Sequence, residues 1–385
     1  MNAWEKRKVS DYLCESRIPG SNGLKAKKLT VKLWGKGVVP KNETYSGSIK
    51  TKYYVRSANQ LIYGKLDFLH AAFGIVPQSL DGWESTIDSP AFDVNTSIGN
   101  AAFLLALFLK PNFYLREGIR ANGSRKAKRI HEDTFLSMSI SAPQRKEQNQ
   151  IAMVLDKTEF LIAATQHKID ALEQVKKALL QRLFDQSWRF DGYLETWKKY
   201  RLGDHAEILT GGTPKTSVAE YWEPKSIPWM SSGEVNKVYL DQTDTMISLE
   251  GFKNSSARWV KKHSILIALA GQGKTRGTVA VNNIALTTNQ SIAAIIPGKD
   301  LYYEFVFQNL TNRYNELRLI SSGDGTRGGL NKQIVSDVTI HSPNLNEQIR
   351  IGKLLSKVDH LSTENQLKLS RIELIKKYLL QTLFI

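Results

Sequence analysis

The strongest constraint on this sequence is a long internal repeat. Residues 143–184 align without a gap with residues 343–384, and 17 of the 42 aligned positions are identical by direct count. The beginnings of the two copies also match, since Trp4–Asp11 resembles Trp197–Asp204. A fixed offset with similarity at both ends indicates a duplicated structural unit. The chain is therefore predicted to contain one globular head followed by one long segment, twice over.

The repeated segment is predicted to be a helix. Apolar residues recur in it at spacings of three and four, with a seven-residue beat. About 38 helical residues would extend roughly 57 Å, too far for one small head to bury the stripe. We therefore predict that the two helices pack antiparallel; packing of each helix on its own head and dimerisation of the chain are the alternatives. Thr165 and Asn365 occupy equivalent polar positions in the stripe, where they either fix register or lie at a solvated edge.

The repeat divides the chain into four segments. We predict a first head over residues 1–142, a long helix over 143–190 with a linker to 196, a second head over 197–342 and a second long helix over 343–385. The heads are predicted to be α+β domains, because short β-prone runs alternate with turn signals and helical stretches. Antiparallel packing of the two equal helices would relate the heads by a pseudo-twofold axis. The predicted strands are 264–269, 278–281 and 291–296, and the predicted helices are 100–109, 112–118 and 301–319.

The positive charge of the chain is concentrated in the heads. The formal net charge is +16, and the isoelectric point is about 9.6. Residues 1–142 carry 21 basic and 12 acidic groups, a net charge of +9, whereas residues 143–196 carry 8 of each. Residues 197–342 carry 17 and 13, a net charge of +4. This distribution favours a polyanionic partner for the heads.

Basic and amide side chains near the glycine-rich loops are the candidate nucleic-acid contacts. Arginine and lysine suit phosphates and guanine edges, and asparagine and glutamine suit adenine edges. The candidates are Lys27, Lys28, Arg125, Lys128 and Arg129 in the first head, and Thr213, Lys215, Trp229, Arg258, Lys274, Arg276, Asn289, Gln290 and Arg327 in the second.

The sequence shows no convincing catalytic motif. Ala268–Thr275 superficially resembles a phosphate-binding loop, but the residues after it favour a strand, whereas such a loop must open a helix. A nucleotide-binding enzyme that uses the Gly271–Thr275 loop, with Lys274, is kept as an alternative. The histidines lack metal-ligand spacing, so we expect no metal or cofactor on this chain. A single cysteine, Cys14, and the absence of a signal or membrane-spanning segment predict a cytoplasmic protein.

The second head and its long helix contain a series of short motifs in a fixed order. The motifs are Arg201–Asp204, Leu209–Pro214, Ile227–Trp229, Ser255–Arg258, Thr288–Gln290, Gly325–Leu330 and Leu354–Asp359. With these motifs, the second head and its helix resemble the specificity subunits of type I restriction-modification systems. The first head lacks the corresponding Gly-Gly-Thr-Pro and Ile-Pro-Trp features, and its Gly74–Pro77 and Leu80–Trp83 resemble another class of the same domain.

The resemblance implies a fold and a function. Each head would be a target-recognition domain that reads one half of a bipartite, asymmetric site in double-stranded DNA. The two long helices, packed as an antiparallel coiled coil, would set the spacer and dock two methyltransferase subunits, and restriction subunits would complete the complex. S-adenosylmethionine, ATP and magnesium would be bound by those partners, and this chain would have no catalytic role. A coiled-coil adaptor protein without a nucleic-acid role is a further alternative.

Overall fold

The chain folds into two compact units. One unit comprises residues 1–164 and 369–385, and the other comprises residues 165–368. Each unit therefore contains one head together with parts of both long helices. The computed structural model describes residues 4–42, 48–119, 129–271, 275–320 and 329–384.

The first head alternates short strands with short helices and leads directly into a helix of 40 residues. The strands are β1 (Glu5–Lys8), β2 (Leu13–Ser16), β3 (Pro19–Asn22), β4 (Leu29–Val31), β5 (Val38–Pro40), β6 (Lys52–Val55), β7 (Leu61–Tyr63), β8 (Phe73–Ile75), β9 (Glu84–Ser85), β10 (Ala91–Val94) and β11 (Ser139–Ala142). The helices are α1 (Val9–Tyr12), α2 (Ala101–Phe108), α3 (Pro111–Gly118), α4 (Glu132–Ser137) and the long α5 (Arg145–Phe184).

The second head repeats this order and leads into a helix of 38 residues. Its strands are β12 (Lys198–Arg201), β13 (Ala206–Thr210), β14 (Ile227–Met230), β15 (Tyr239–Leu240), β16 (Thr245–Ile247), β17 (Ile265–Ala268), β18 (Val279–Asn282), β19 (Thr287–Thr288), β20 (Ile292–Pro297) and β21 (Thr339–Ser342). Its helices are α6 (Leu202–His205), α7 (Leu249–Lys253), α8 (Tyr303–Asn312), α9 (Tyr314–Leu319), α10 (Lys332–Asp337) and the long α11 (Leu345–Thr382).

The predicted head elements are confirmed, with one difference. The three strands expected in the second head are β17, β18 and β20, and the two helices expected in the first are α2 and α3. The single helix expected over 301–319 is instead two helices, α8 and α9. Arg313 separates them: its φ of −100° and ψ of 18° lie outside the helical region, and its N–H bonds carbonyls of the preceding turn.

The main sheets of the two heads have the same strand order. The first head has the order β2-β10-β7-β8, and the second has β13-β20-β17-β18 with β15 added at the edge. The registers also correspond, since Leu13 pairs with Val94 in the first head as Ala206 pairs with Pro297 in the second, and the next amide, of Asn95 or Gly298, donates to the carbonyl of Tyr12 or His205. The duplication predicted from the helices therefore extends through the core of each head.

The chain enters and leaves each head through a two-stranded ladder. β1 pairs antiparallel with β11, and β12 pairs antiparallel with β21. Because β11 and β21 each run into a long helix, this ladder ties the start of a head to the root of the helix that follows it.

The smaller sheet of each head has diverged. The first head has the order β3-β6-β9, in which β6 and β9 are antiparallel. The second has the order β16-β14-β19, in which β14 and β19 are parallel. β9 directly precedes β10 of the main sheet, and β19 directly precedes β20. The smaller sheet is therefore connected to the equivalent strand of the main sheet in both heads.

The cores use different side chains to fill the same topology. The first head packs an aromatic cluster around Phe135, whose ring centroid lies 4.7 Å from that of Tyr63 and 5.3 Å from that of Phe108. The corresponding sheet of the second head is filled mainly by isoleucine, valine, leucine and alanine, including Ile265 and Ile295. A core of similar layout can be built from either set if volume and pattern are kept, which explains why the head sequences match so weakly.

The long helices pack antiparallel in each unit, as predicted. In the first unit, Leu379 and Leu383 near the end of α11 pack on the cluster that contains Ile151 near the start of α5. In the second unit, Leu179 near the end of α5 packs on the cluster that contains Ile351 near the start of α11. Late residues of one helix thus meet early residues of the other in both units.

Buried and half-buried positions on each long helix follow a heptad, with alternating steps of four and three residues, and we call these positions the seam of that helix. Thr165 and Asn365 are both buried, which favours the interior of a coiled coil over a solvated edge for these positions. The Asn365 amide donates to the Leu361 carbonyl of its own helix at 2.6 Å. The seam residues are Ile151, Leu155, Thr158, Ile162, Thr165, Ile169, Leu172, Lys176, Leu179 and Leu183 on α5, and the residues 200 positions later, which lie on α11 except for Leu383 just after it.

A buried glutamine joins each long helix to its head. The Gln148 side chain accepts from the Asn100 amide at 3.0 Å and donates to the carbonyls of Ile98 and Pro143 at 2.9 and 2.8 Å. Gln348 makes the same three bonds, to the Tyr302 amide at 2.9 Å and to the carbonyls of Asp300 and Pro343, each at 3.0 Å. Asn100 and Tyr302 are the N-cap residues of α2 and α8. We call these contacts the glutamine latches; they explain why this residue is identical in both copies.

Candidate nucleic-acid interface

Two loops of the second head converge beside the main sheet. The Gly211–Pro214 loop follows β13, and residues 289–291 precede β20. The Thr213 hydroxyl donates to Gln290 Oε1 at 2.6 Å, and the Gly212 amide donates to the Thr288 carbonyl at 2.9 Å. The structure therefore joins two of the predicted contact residues directly, in a half-exposed position.

The two glycines allow this close approach. A Cβ atom on Gly211 would lie 1.9 Å from the Thr288 carbonyl oxygen. A Cβ atom on Gly212 would lie 2.0 Å from Ser256 Oγ and 2.7 Å from the Ser256 carbonyl carbon. Since the second contact brings in the 256–257 segment, the exposed Arg258 stands beside the same loop. We call residues 211–215, 256–258 and 289–291 the second-head edge.

Trp229 supports this edge from inside. It is buried in β14, and its indole N–H donates to the Gly212 carbonyl at 3.0 Å. The neighbouring Met230 carbonyl accepts from the Asn289 amide at 3.0 Å. The Trp229 ring packs edge-on against Trp222, with centroids 5.4 Å apart. Its position indicates a brace for the loops, and the ring itself is not on the surface.

The other predicted residues of the second head fall into two groups. Lys215 is exposed, and Arg276 is half-buried in the turn before β18. Lys274 and Arg327 lie outside the described residues. Thr275–Gly277 forms a turn that leads into β18, as the sequence predicts, so the described residues after the phosphate-loop-like segment do not open a helix.

The predicted residues of the first head are dispersed. Lys27 is exposed, and Lys28 Nζ lies 5.6 Å from the centroid of the Tyr53 ring. Arg129 Nε lies 3.4 Å from the Asp88 carboxylate. Arg125 and Lys128 lie outside the described residues. Lys27 and Lys28 belong to the segment beside β4, whereas Arg129 belongs to the edge that corresponds to the second-head edge.

Two arginines at that corresponding edge were missed by sequence reasoning. Arg17 directly follows β2, as Gly211 directly follows β13. Arg56 follows β6 and is 2% exposed. It donates to the Ser85 hydroxyl at 2.7 Å and to the carbonyls of Ser16 and Ser89 at 2.8 and 3.1 Å. Burial lowers the pKa of Arg56 to about 10, which leaves it charged at neutral pH.

An ion pair lies underneath this edge. Lys65 Nζ and Glu132 Oε1 are 2.6 Å apart, and both side chains are buried. Burial acts to raise the pKa of Glu132, but the hydrogen bond from Lys65 and the nearby positive charges outweigh it, so the pKa lies below its ordinary value. Arg17 is the second cation near this carboxylate, at 3.9 Å. We call Arg17, Asp88, Ser89 and Arg129 the first-head edge.

Among the described residues, no group of three or more histidine, cysteine or acidic side chains is arranged to hold a metal ion. No helix in the same part of the chain has the length and hydrophobicity needed to cross a membrane.

The second head and its long helix are similar to known proteins. Residues 194–374 match the family model of the type I restriction modification DNA specificity domain. The chain is 28% identical over 250 residues to the specificity subunit of the type I restriction enzyme EcoR124I/EcoR124II of Escherichia coli, covering 63% of this chain and 60% of that protein. It is 31% identical over 185 residues to the type I restriction enzyme MjaIX specificity subunit of Methanocaldococcus jannaschii, covering 46% and 40%.

A solved structure extends the likeness to the whole fold. The S subunit of a type I restriction-modification system from M. genitalium covers 100% of this chain, and 96% of that protein is covered in turn. The TM-score is 0.66 at 13% sequence identity, so this likeness concerns the fold. The chain is therefore similar to specificity subunits of type I restriction enzymes, as the resemblance in its sequence predicted.

Proposed function

We propose that this chain is a DNA-binding specificity subunit whose two heads each read one half of a bipartite, asymmetric site. The observation that carries the proposal is that one sheet topology occurs twice, with different side chains at its corresponding edges. Two readers of the same half-site would need the same edge. Divergent edges on a retained scaffold are the arrangement that an asymmetric site requires.

The charge of the heads supports duplex DNA as the partner. Positive charge is concentrated in the heads, and the second-head edge combines the cations Lys215 and Arg258 with the amides Asn289 and Gln290. Cations of this kind position a protein on phosphates, whereas amides and guanidinium groups distinguish base edges in the major groove.

The long helices supply a repeated surface for two equal partners. Beside the seam, the g positions carry Leu161 and Ile375 in the first unit, which are 45% and 53% exposed. The equivalent g positions in the second unit carry Leu361 and Val175, of which Val175 is 49% exposed. Since g residues of antiparallel helices line one edge of the seam, each unit presents a similar apolar face. We propose that each face docks one methyltransferase subunit, and that restriction subunits join that assembly.

The chemistry of the system belongs to those partners in this proposal. S-adenosylmethionine would be bound by the methyltransferase subunits, and ATP and magnesium by the partner subunits. This chain would recognise the DNA sequence through its heads and would set the distance between the two half-sites through its helices.

Salt dependence of DNA binding tests the central part of the proposal. The affinity of the chain with its methyltransferase subunits for duplex DNA carrying its site would be measured between 50 and 200 mM salt. With six or more phosphate contacts, the affinity should fall about a thousandfold, because each contact releases condensed counterions. Lys215→Gln should lower the slope by about one ion, whereas Lys225→Gln, on an exposed lysine outside the edge, should not change it. A flat salt response of the wild type would refute the proposal.

Stoichiometry tests the docking surface. Leu161→Asp and Leu361→Asp alter equivalent positions, so each should reduce the number of bound methyltransferase subunits from two to one, and the double variant should bind none. Lys157→Gln and Lys357→Gln are matched controls on the same helices, at exposed positions outside the g row. Analytical ultracentrifugation of the mixed subunits would measure the number. Retention of two subunits by the double variant would contradict docking at this face.

A further inference from the structure

We propose that Arg17 is a base-reading side chain of the first head and that it contacts a guanine in that head's half-site. This inference rests on the proposed function and deepens it, since it assigns a residue and a base to one half of the DNA site.

The first argument is the position of Arg17 in the repeated sheet. Leu13 pairs with Val94 and Ser16 with Ala91 in the first head, as Ala206 pairs with Pro297 and Leu209 with Ala294 in the second. Arg17 therefore stands where Thr210 stands in the second head, directly before the Gly211–Pro214 loop.

The same registration relates the opposite sides of the two edges. Asp88 lies three residues before Ala91, and Ser291 lies three residues before Ala294. The first-head edge thus presents a guanidinium beside a carboxylate where the second head has the hydroxyls of Thr210 and Ser291, next to the glycine loop and Gln290.

The second argument is the way in which Arg17 is held. Its Nε donates to Glu15 Oε1 at 2.7 Å, and its side chain remains 58% exposed. Among the described residues, neither of its terminal nitrogens forms a hydrogen bond. Its Nη2 lies 3.9 Å from the Glu132 carboxylate, which is already paired with Lys65. An arginine anchored through Nε with a free Nη edge presents the two parallel donors that guanine O6 and N7 accept.

The third argument is the rigid platform beneath it. The buried Arg56 binds the Ser16 carbonyl, immediately before Arg17, and the Ser89 carbonyl on the neighbouring strand end. One side chain therefore fixes both backbone segments from which the first-head edge is built. A reading side chain needs such support, because its donors must be held close to the productive geometry before the DNA arrives.

The test is selection of binding sites from a random duplex library by the chain together with its methyltransferase subunits. Arg17→Ala should weaken binding of the wild-type site about tenfold to a hundredfold. It should also relax the preference for guanine at one position of one half-site and leave the other half-site unchanged. Gln290→Ala should relax only the other half-site.

Arg7→Ala is the matched control. Arg7 also donates through Nε to a glutamate two residues earlier, Glu5, but it lies in β1 of the ladder beside the long helix. Its substitution should leave both half-sites unchanged. Arg17→Lys keeps the charge but loses the paired donors, so it should relax the guanine preference while retaining more affinity than Arg17→Ala.

The outcomes separate this inference from the proposed function. If Arg17→Ala weakens all sequences equally, Arg17 is a phosphate contact and the inference is wrong. If Arg17→Ala changes nothing while Gln290→Ala relaxes a half-site, the inference is wrong and the proposed function stands. If the wild-type assembly selects no sequence, the proposed function fails as well. Circular dichroism of each variant would establish that it is folded.

Discussion

The two heads support corresponding edges with opposite chemistry. In the first head, the buried guanidinium of Arg56 binds the carbonyls of Ser16 and Ser89. In the second, the buried indole of Trp229 binds the Gly212 carbonyl. Both braces come from the central strand of the smaller sheet or the residue after it, and both fix the strand ends of the main sheet. Both heads thus place a supporting side chain at the same position of the fold. The type of that side chain differs between the heads, as does the edge that it supports.

The contacts that join each long helix to its head, in contrast, are the same in both units. Gln148 and Gln348 make the same three hydrogen bonds with backbone groups, and two of the three partner residues differ between the heads. A contact to backbone does not depend on neighbouring side chains, so it survives while the heads diverge. Contacts that hold the plan together are thus retained in both copies, and contacts that shape the edges are not.

The largest predicted effect comes from removing the charged brace. Arg56→Met would leave two carbonyls and the Ser85 hydroxyl without their donor, in a buried site, and should destabilise the first unit by about 3 kcal/mol. Trp229→Phe removes a single donor and should cost the second unit about 1 to 2 kcal/mol. Hydrogen exchange in each unit, with urea denaturation, would measure both. The account of the two braces is wrong if Arg56→Met costs less than Trp229→Phe.

The latches should respond equally. Gln148→Leu and Gln348→Leu each leave one amide and two carbonyls unsatisfied, so each should destabilise its own unit by roughly 2 to 3 kcal/mol. Because the bonds are the same in both units, the two values should agree within about 0.5 kcal/mol. Unequal losses of stability in unit-resolved hydrogen exchange would show that the two latches are not energetically equivalent.

A smaller predicted effect is a difference between the two units in how their stability depends on pH. Burial, together with the nearby Asp359, raises the pKa of Glu304 in α8 from its ordinary 4.5 to about 7, although hydrogen bonds from Tyr239 and Ser356 and the charge of Lys176 oppose the rise. The folded state then holds its proton more tightly than the unfolded state. The second unit should therefore lose stability as the pH rises from about 4.5 to 7. The latch alignment places Ala102 at the equivalent position of the first head, which has no carboxylate there.

Glu304→Gln isolates this contribution. It should stabilise the second unit by about 2 kcal/mol at pH 8 and by much less at pH 5. Denaturation midpoints of the wild type and the variant at the two pH values would measure the difference. An identical difference at pH 5 and pH 8 would mean that Glu304 does not titrate with folding.

The smallest effect concerns ion pairs at equivalent positions of the helices. Lys176 Nζ is 2.5 Å from Asp359 Oδ1, and Lys376 pairs with Glu159. The Asp359 side chain is 13% exposed and that of Glu159 is 55% exposed. A double-mutant cycle should give a coupling energy of about 1 kcal/mol for the first pair and about 0.3 kcal/mol for the second, because solvent screens the more exposed charges. A stronger coupling for Lys376 and Glu159 would reverse the comparison.

Sequence reasoning reached the parts of the structure that obey a local period. The repeat, the two long helices, their antiparallel packing and the strands β17, β18 and β20 follow from spacing and from turn residues. Thr213 and Gln290 were chosen as candidates by residue type, and only the structure shows that they contact each other.

Arg17 and Arg56 could not be found in that way. Arg56 ends the run Lys52–Val55, where an arginine looks like an exposed strand end. Its burial depends on Ser16 and Ser89, which are 40 and 33 residues distant and meet only when the main sheet forms. Arg17 gains significance only from the register that equates it with Thr210, directly before the Gly211–Pro214 loop. Both residues owe their environment to non-local strand pairing, which a single sequence does not display.

Exchange of the first head is the most direct test of the account. Residues 1–142 would be replaced by the first head of another specificity subunit, and methylated sites would be sequenced in cells that contain the hybrid and the methyltransferase. We predict that one half-site changes while the other half-site and the spacer length stay the same, because each head carries its own edge on a retained scaffold. A hybrid that methylates DNA with both half-sites altered, or with neither altered, would contradict the account.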